Sequence, residues 1–251
     1  MLFFGYALLQ ILVVIALMFF AYPPFSSFMV PLMIKVFGEP AVHYPNNFMV
    51  LPSMYFWINL IFSGFLGTII IGGATNLFSL KYSDKPVVLS KGIAKVWPGY
   101  ATLLLVWVIE TAVLLGLFEV FPPLLNKIAF FSNYGPLMKQ MVITIVALVV
   151  GSLFVYTTAL VLLERRGAFS AIAQSFKLFG KYPVATVLLM VVPNFVKLPI
   201  DMLASKTDFL IRKFNPETIA FSIILGVLVS VFTNFVLIGT VTRYFMFTRE
   251  V

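Results

Sequence analysis

Apolar runs about as long as a bilayer is thick recur along this chain, and they constrain its fold more than any other feature. A membrane-spanning helix needs roughly 20 consecutive apolar residues. Only 10% of the residues are charged and 61% are hydrophobic, whereas about a quarter of a soluble domain is charged. We therefore predict an all-α, polytopic transmembrane helical bundle of about six spans. The predicted spans are residues 2–22, 50–73, 98–118, 138–163, 183–203 and 219–242.

The stretch from Thr157 to Pro199 indicates how two of these spans are joined. The charged triplet at residues 164–166 ends one apolar run, because a charged side chain costs roughly 2.5 to 3.5 kcal/mol at the centre of a spanning helix. From Ala168 onwards, apolar and polar positions recur with helical spacing. This pattern is typical of an amphipathic helix lying in the membrane interface. Its predicted lipid-facing and headgroup-facing side chains are Phe169, Ile172, Phe176 and Lys177.

A similar order of features occurs earlier, in residues 73–110. Lys81, Asp84 and Lys85 end an apolar run, and residues 87–97 predict a second, shorter amphipathic helix before the next span. Both predicted short helices fall on the same side of the membrane.

The two hairpins predict a weak parallel internal repeat about an axis along the membrane normal. Its halves are residues 50–118 and 138–203, flanked by the spans at residues 2–22 and 219–242. The alternative is that any two hairpins of membrane spans look alike. Since no long polar segment separates the spans, residues 1–251 are predicted to form a single integral membrane domain.

The segment ERRGAFSAIAQSFKLFGKYPVATVLL combines a charged span end, a small residue, a short helix containing Ala, Ile and Ser, and a new span. In this order it resembles the polytopic membrane domain found in front of some glycerophosphodiester phosphodiesterases, and the related stand-alone inner-membrane proteins of unknown function. The resemblance covers residues 50–200 loosely and implies a membrane domain. The phosphodiesterase barrel of the fused members has no counterpart in these residues, so the resemblance implies no catalytic residue.

Basic residues are distributed unequally between the two sets of loops. Residues 81–97, 164–181 and 243–251 hold ten Lys or Arg and three acidic residues, whereas the opposite loops with their adjoining span ends hold seven and five. Cytoplasmic loops carry the excess of Lys and Arg. We therefore predict a multi-pass protein of the cytoplasmic (inner) membrane with both termini and both amphipathic helices in the cytoplasm. One feature points the other way, since Lys35 follows a first span that no charged side chain precedes.

Two of the predicted outer loops, residues 23–49 and 119–137, are apolar for segments outside the bilayer. They are expected to lie in the membrane interface, in contact with membrane lipids, or to form docking surfaces for other membrane protein subunits.

Small residues form stripes on three predicted spans. Such residues let helix backbones approach closely, so the stripes favour helix packing, with a substrate path lined by glycine and serine as the alternative. The predicted packing residues are Gly64, Gly67, Gly151, Ser222, Gly226 and Ser230.

Several classes of chemistry lack the residues they need. The chain has no cysteine, and His43 is its only histidine, so neither a metal site nor another cofactor is expected. No P-loop or nucleophile elbow is present. The net charge of +8 is scattered over loop ends and not gathered in a stripe, so no nucleic acid is expected as a partner. The chain is predicted not to be an enzyme.

Polar residues inside predicted spans are candidates for function, because burying them in lipid is costly. Glu110 is the clearest of them, and its predicted depth matches that of Lys197 and Asn59 at about 1.5 Å per residue. We predict that the three share an intramembrane polar cluster. The alternative is that Lys197 extends to the headgroups while a neutral Glu110 donates a hydrogen bond to a backbone carbonyl.

Two functions fit these features. The first is a non-enzymatic membrane subunit that packs with and stabilises or organises a membrane protein complex. The second is a permease-like protein that binds or moves a lipid or another amphipathic solute. A transporter needs a polar cavity, whereas a scaffold can be packed solid. An intramembrane enzyme acting on a lipid ranks last, since acid–base partners are missing.

Overall fold

The computed structural model describes residues 1–127, 135–204 and 206–250, and every regular secondary-structure element in these ranges is helical. The prediction of an all-α fold is therefore confirmed. The first helices are α1 (Leu2–Met18), α2 (Ser26–Phe37), α3 (Asn46–Phe62), α4 (Thr68–Tyr82), α5 (Leu89–Ala94) and α6 (Tyr100–Lys127). The remaining helices are α7 (Pro136–Ser152), α8 (Thr157–Leu163), α9 (Ala168–Lys181), α10 (Pro183–Phe195), α11 (Leu198–Ala204), α12 (Thr207–Lys213) and α13 (Thr218–Glu250).

Among the described residues, four helical segments are long and apolar enough to cross a membrane. They are Asn46–Tyr82, Leu89–Lys127, Met138–Leu163 and Thr218–Arg249. The helices α9 and α10 would together provide a fifth, although they are bent by 103° at their junction. Helix α1 is apolar but has 17 residues, which is the lower limit for a spanning helix. These helices are compatible with a multi-pass membrane protein, and the count of six spans stays a prediction.

The predicted fifth span, residues 183–203, is not one continuous helix in the structure. Helix α10 ends at Phe195, and α11 begins at Leu198. Two prolines account for the break, since proline has no backbone N–H to donate to the carbonyl four residues earlier. Pro193 lies in the last turn of α10, and Pro199 cannot bond back to the carbonyl of Phe195. Lys197 is therefore placed at an interruption in the helical backbone.

The chain divides into two compact units. Unit 1 comprises Met1–Ser63 and Phe195–Phe235, and unit 2 comprises Gly64–Asn194 and Val236–Val251. The predicted halves, residues 50–118 and 138–203, follow different boundaries, and the internal repeat stays a prediction.

The core of unit 1 joins α1, α2, α3, α12 and the first part of α13. Val14, Phe20, Leu51, Leu210 and Ile219 are almost completely buried in it. Because these side chains come from distant parts of the sequence, their burial fixes the ends of the unit against each other.

In unit 2, helices α5 and α9 are each joined to a neighbouring segment by a hydrogen bond from a buried polar side chain. Asn76 of α4 donates its amide to the carbonyl oxygen of Gly92 in α5, at 3.1 Å. Ser175 of α9 donates its hydroxyl to the carbonyl oxygen of Leu153, at 2.6 Å. Buried hydrogen bonds of this kind hold α5 and α9 in fixed positions, because an unpaired buried polar group is costly.

Candidate functional site

A half-open cavity of about 360 Å³ lies in unit 1, and residues from four of its helices form the wall. This volume is at the lower end of the range for small-molecule sites. The residues that line it are Gln10, Pro52, Tyr55, Phe56, Asn59, Lys197, Ile200, Asp201, Ala204, Ser222, Ile223, Gly226, Val227 and Ser230.

One side of the cavity carries an ion pair. The ammonium nitrogen Nζ of Lys197 lies 3.7 Å from the carboxylate oxygen Oδ2 of Asp201, one helical turn further along the chain. A charge-assisted hydrogen bond is about 2.7 to 2.9 Å long, so the two groups attract each other without a direct hydrogen bond. Both therefore keep hydrogen-bonding capacity for a third group.

A pair of amide side chains forms another part of the wall. The Nε2 amide of Gln10 on α1 donates a hydrogen bond to the Oδ1 oxygen of Asn59 on α3. Each amide uses one group in this bond, which leaves the oxygen of Gln10 as an acceptor and the nitrogen of Asn59 as a donor. Tyr55, one turn before Asn59 on the same helix, also lines the cavity.

The α13 side of the cavity carries small residues at intervals of four, beside the larger Ile223 and Val227. Ser222 and Ser230 donate their hydroxyl hydrogens to the carbonyl oxygens of Ile219 and Val227 in their own helix, each at 2.7 Å. The donors are thus occupied, and the hydroxyl oxygens remain as acceptors. Gly226 lies between the two serines, and a Cβ atom added there would be 3.6 Å from Cγ2 of Ile200. Helices α11 and α13 are therefore close together at this point.

The cavity combines opposite charges, amides and hydroxyl acceptors with an apolar surface. Phe56, Ile200, Ile223 and Val227 contribute that apolar surface. A pocket that is mostly apolar with a few convergent polar groups is the usual form of a small-molecule site. The arrangement can hold a molecule that has both a polar and an apolar part.

The structure brings together several residues that the sequence singled out separately. Asn59 and Lys197, from the predicted polar cluster, line the same cavity as Ser222, Gly226 and Ser230, which were predicted to serve helix packing. Glu110, the third member of the predicted cluster, lies on α6 in unit 2. Its pairing with Lys197 stays a prediction, and within unit 1 the partner of Lys197 is Asp201.

The other predicted packing glycines lie in unit 2. A Cβ atom added at Gly64 would lie 2.8 Å from the indole ring of Trp107, and one at Gly151 would lie 3.1 Å from Cε of Met190. Gly67 is buried and ends the π-helical turn that separates α3 from α4. At Gly64 the indole leaves no room for a larger side chain.

The predicted interfacial helix corresponds to α9. Its buried side consists of the small residues Ala168, Ala171 and Ser175. Phe169 and Phe176 are 73% and 41% exposed, and the Phe176 ring contacts Phe154 edge to face. Ile172 is partly buried against the core of unit 2, and Lys177 is exposed.

Sequence reasoning did not select Asp201, Gln10 and Tyr55 as site residues. A signal for Asp201 was present, because Lys197 and Asp201 are four residues apart and side chains at that spacing are neighbours on a helix. Tyr55 and Asn59 have the same spacing. No sequence signal pairs Gln10 with Asn59, since their contact joins two separate helices.

Of the two predicted outer loops, residues 23–49 contain α2, a 3₁₀ turn at Glu39–Val42 and the start of α3. In the loop at residues 119–137, α6 continues to Lys127, and residues 128–134 lie outside the described residues. Within the described ranges, no group of three or more His, Asp or Glu side chains is placed to hold a metal ion.

Comparison of the chain with protein-family models, with curated proteins and with solved structures finds no match.

Proposed function

We propose that this chain is a permease-like protein of the cytoplasmic (inner) membrane, which binds an amphipathic solute in the cavity of unit 1. The observation that carries the proposal is the lining of the cavity, where the ion pair of Lys197 and Asp201 shares one space with apolar side chains. The Lys197 and Asp201 side chains are 37% and 53% exposed, so the pair lies at the open side of the cavity, where a ligand can reach both charges. Ionisable residues within predicted spans usually serve a ligand or an ion. A subunit that acts only through packing has no need for a charged cavity.

The broken helix beside the cavity supports the same function. Transporters often place their binding sites at interrupted helices, because unwound backbone is tolerated in the bilayer only where it is buried in protein or lines a cavity. Lys197 lies at such an interruption, between α10 and α11.

The proposal is tested by filling the cavity. We expect native mass spectrometry of the protein, released from its membrane by a mild detergent, to detect a bound amphiphile. Gly226→Leu places a side chain in the cavity wall and should abolish that mass. Gly116→Leu is the matched control, because nothing lies within 4 Å of a Cβ atom added at Gly116. An amphiphile that Gly226→Leu retains as well as the wild type does, or no amphiphile at all, would overturn the proposal.

A second candidate function is the non-enzymatic subunit that stabilises or organises a membrane protein complex. Helix α2 favours it, because Phe28 and Val36 are 75% and 61% exposed although the helix lies outside the long apolar segments. Exposed apolar surface of this kind marks contact with a membrane or another protein. Partner proteins that co-purify in a fixed ratio with the wild type, and are lost in Phe28→Ser, would favour this function over solute binding.

The sides of α9 support the proposed position at the membrane interface. At about 100° per residue, the helix presents three faces. Ala171 and Ser175 face the protein, Phe169 and Phe176 form an exposed apolar face, and Lys177 marks an exposed polar face. A helix that touches protein, lipid and water on three sides suits the edge of a bundle at the headgroup level.

Both termini are proposed to be cytoplasmic. The resemblance to the phosphodiesterase membrane domain stays a prediction and supports no part of this proposal.

A further inference from the structure

Among the described residues that line the cavity of unit 1, Lys197 and Asp201 are the only Lys, Arg, Asp or Glu side chains, and their charges are opposite. Their separation of 3.7 Å, between Nζ of Lys197 and Oδ2 of Asp201, leaves both without a direct hydrogen bond to each other. The ammonium group has three donors, and the carboxylate has two acceptor oxygens. A ligand can therefore bind to both groups at the same time.

The balance of charge selects among ligands. The charges of Lys197 and Asp201 cancel, so a purely anionic head would be attracted to the lysine and repelled by the aspartate, which is one turn away. A purely cationic head would be attracted to the aspartate and repelled by the lysine. A head that carries both charges can align antiparallel to the pair, so that every charge in the cavity has an opposite neighbour.

The hydroxyl groups on α13 indicate the kind of cation. Ser222 and Ser230 have already donated their hydrogens to carbonyl oxygens of their own helix, so each offers an acceptor to the cavity. A primary ammonium group has three N–H donors for such acceptors, whereas a quaternary ammonium group has none. The oxygen of Gln10 adds a further acceptor, because the hydrogen bond to Asn59 uses only its nitrogen.

We propose that the cavity recognises a zwitterionic head with a primary ammonium group near Asp201 and one of the two α13 hydroxyl groups, and an anionic group near Lys197. Ser222 and Ser230 lie roughly 12 Å apart along the helix, so one ammonium group reaches only one of them. The apolar part of the wall contacts the first carbons of an attached chain. The inference rests on the proposed function and specifies the solute class. Either the head of a membrane lipid or a free water-soluble zwitterion could supply this chemistry.

The test measures binding of defined probes to the purified full chain in detergent. The probes are lysophosphatidylethanolamine with its primary ammonium, lysophosphatidylcholine with its quaternary ammonium, anionic lysophosphatidylglycerol, neutral monoacylglycerol and water-soluble glycerophosphoethanolamine. We expect the first to bind at least ten-fold more tightly than the next three. Equal binding of glycerophosphoethanolamine would identify a free zwitterion as the ligand, and much weaker binding would identify a lipid.

Charge variants show which groups provide the selectivity. Lys197→Met and Asp201→Asn should each lower the affinity for lysophosphatidylethanolamine at least ten-fold, and Asp201→Asn should at the same time raise the affinity for lysophosphatidylglycerol. Lys206→Met and Glu39→Gln are matched controls, because both residues are exposed in unit 1 and neither lines the cavity. The controls should bind every probe as the wild type does.

The exchanged variant Lys197→Asp with Asp201→Lys keeps both charges. It therefore shows whether a single variant loses binding because a charge is missing or because the protein is misfolded. It should retain more affinity for lysophosphatidylethanolamine than either single variant. Three results would overturn the inference: equal binding of the zwitterionic and anionic probes, equal binding of the primary and quaternary ammonium probes, or wild-type selectivity in a folded Lys197→Met, Asp201→Asn double variant. If no probe binds while the wild-type protein retains an amphiphile that Gly226→Leu loses, the choice of head group is wrong and the proposed function stands. If no amphiphile is retained either, the proposed function itself fails.

Discussion

The side-chain amide of Gln10 on α1 donates a hydrogen bond to the amide oxygen of Asn59 on α3, across the core of unit 1. It joins two apolar helices that also share a hydrophobic core, to which Val14 and Leu17 of α1 and Leu51 and Met54 of α3 belong. In an apolar environment such a bond helps to fix how two helices are rotated relative to each other, because alternative rotations leave both amides unpaired.

Breaking this amide pair should destabilise the protein by a small amount that the double variant partly restores. Gln10→Leu and Asn59→Leu each leave one amide without its partner, and we expect each to cost about 1 kcal/mol. The double variant should cost less than the sum of the two, since no orphaned amide remains. Thermal unfolding in detergent measures the coupling. Asn194→Leu is the control, because the side-chain hydrogen bond of Asn194 among the described residues is to the Met190 carbonyl of its own helix. Strict additivity would contradict the prediction.

The glycines predicted to serve helix packing should differ in their tolerance of alanine. At Gly64 the added Cβ atom would lie 2.8 Å from the ring of Trp107, and overpacking of this kind typically costs about 1 to 3 kcal/mol. Gly226→Ala should cost little, because its nearest neighbour, Ile200, would be at 3.6 Å. Gly116→Ala meets nothing within 4 Å and should be neutral or stabilising by up to roughly 1 kcal/mol.

Thermal unfolding of the three alanine variants under identical conditions checks this order. If Gly64→Ala unfolds at the wild-type temperature, the indole of Trp107 moves aside, and the close packing at this position is not required for stability.

The sequence was sufficient for the helical class and for the positions of most long apolar helices, because both depend on local composition. It placed the end of one apolar run at Glu164, and α8 does end at Leu163. It also grouped Ser222, Gly226 and Ser230 on one face of a helix, since a helix repeats every 3.6 residues. Each of these inferences uses residues that are neighbours in the chain.

Features that depend on contacts between distant residues could not be read in the same way. The cavity requires α1, α3, α11 and α13 to surround one space, and a single sequence does not show which helices are neighbours. Depth alone suggested Glu110 as a partner for Lys197, and the ion pair of Lys197 with Asp201 within unit 1 was not predicted. The helix break at Lys197 was missed, although Pro193 and Pro199 mark it on either side.

Exposed positions of helix α9 should fall into two groups, one in contact with lipid and the other in contact with water. Spin labels at Phe169 and Phe176 are expected to contact lipid and to be protected from a water-soluble relaxation agent. Labels at Ser170 and Lys177 should be accessible to the same agent, because both residues lie on the exposed polar face. Electron paramagnetic resonance on the protein in lipid bilayers measures both the lipid contact of each label and its accessibility to the water-soluble agent. Uniform accessibility along the helix, without a period near 3.6 residues, would contradict an interfacial position.

The last prediction concerns the orientation of the chain in the membrane, and it uses the absence of cysteine from the sequence. Ser90 on α5 and Ser27 on α2 are both exposed, so a cysteine at either position should react with a thiol reagent. The excess of Lys and Arg in residues 81–97 and 164–181 predicts that Ser90 lies on the cytoplasmic side. A membrane-impermeant reagent added to intact cells should therefore label Ser27→Cys and leave Ser90→Cys unlabelled until the cells are opened. The unsubstituted chain is the control for background labelling. Labelling of Ser90→Cys in intact cells would reverse the proposed topology and would show that Lys35, which follows the first apolar helix, outweighs the summed charge of the other loops.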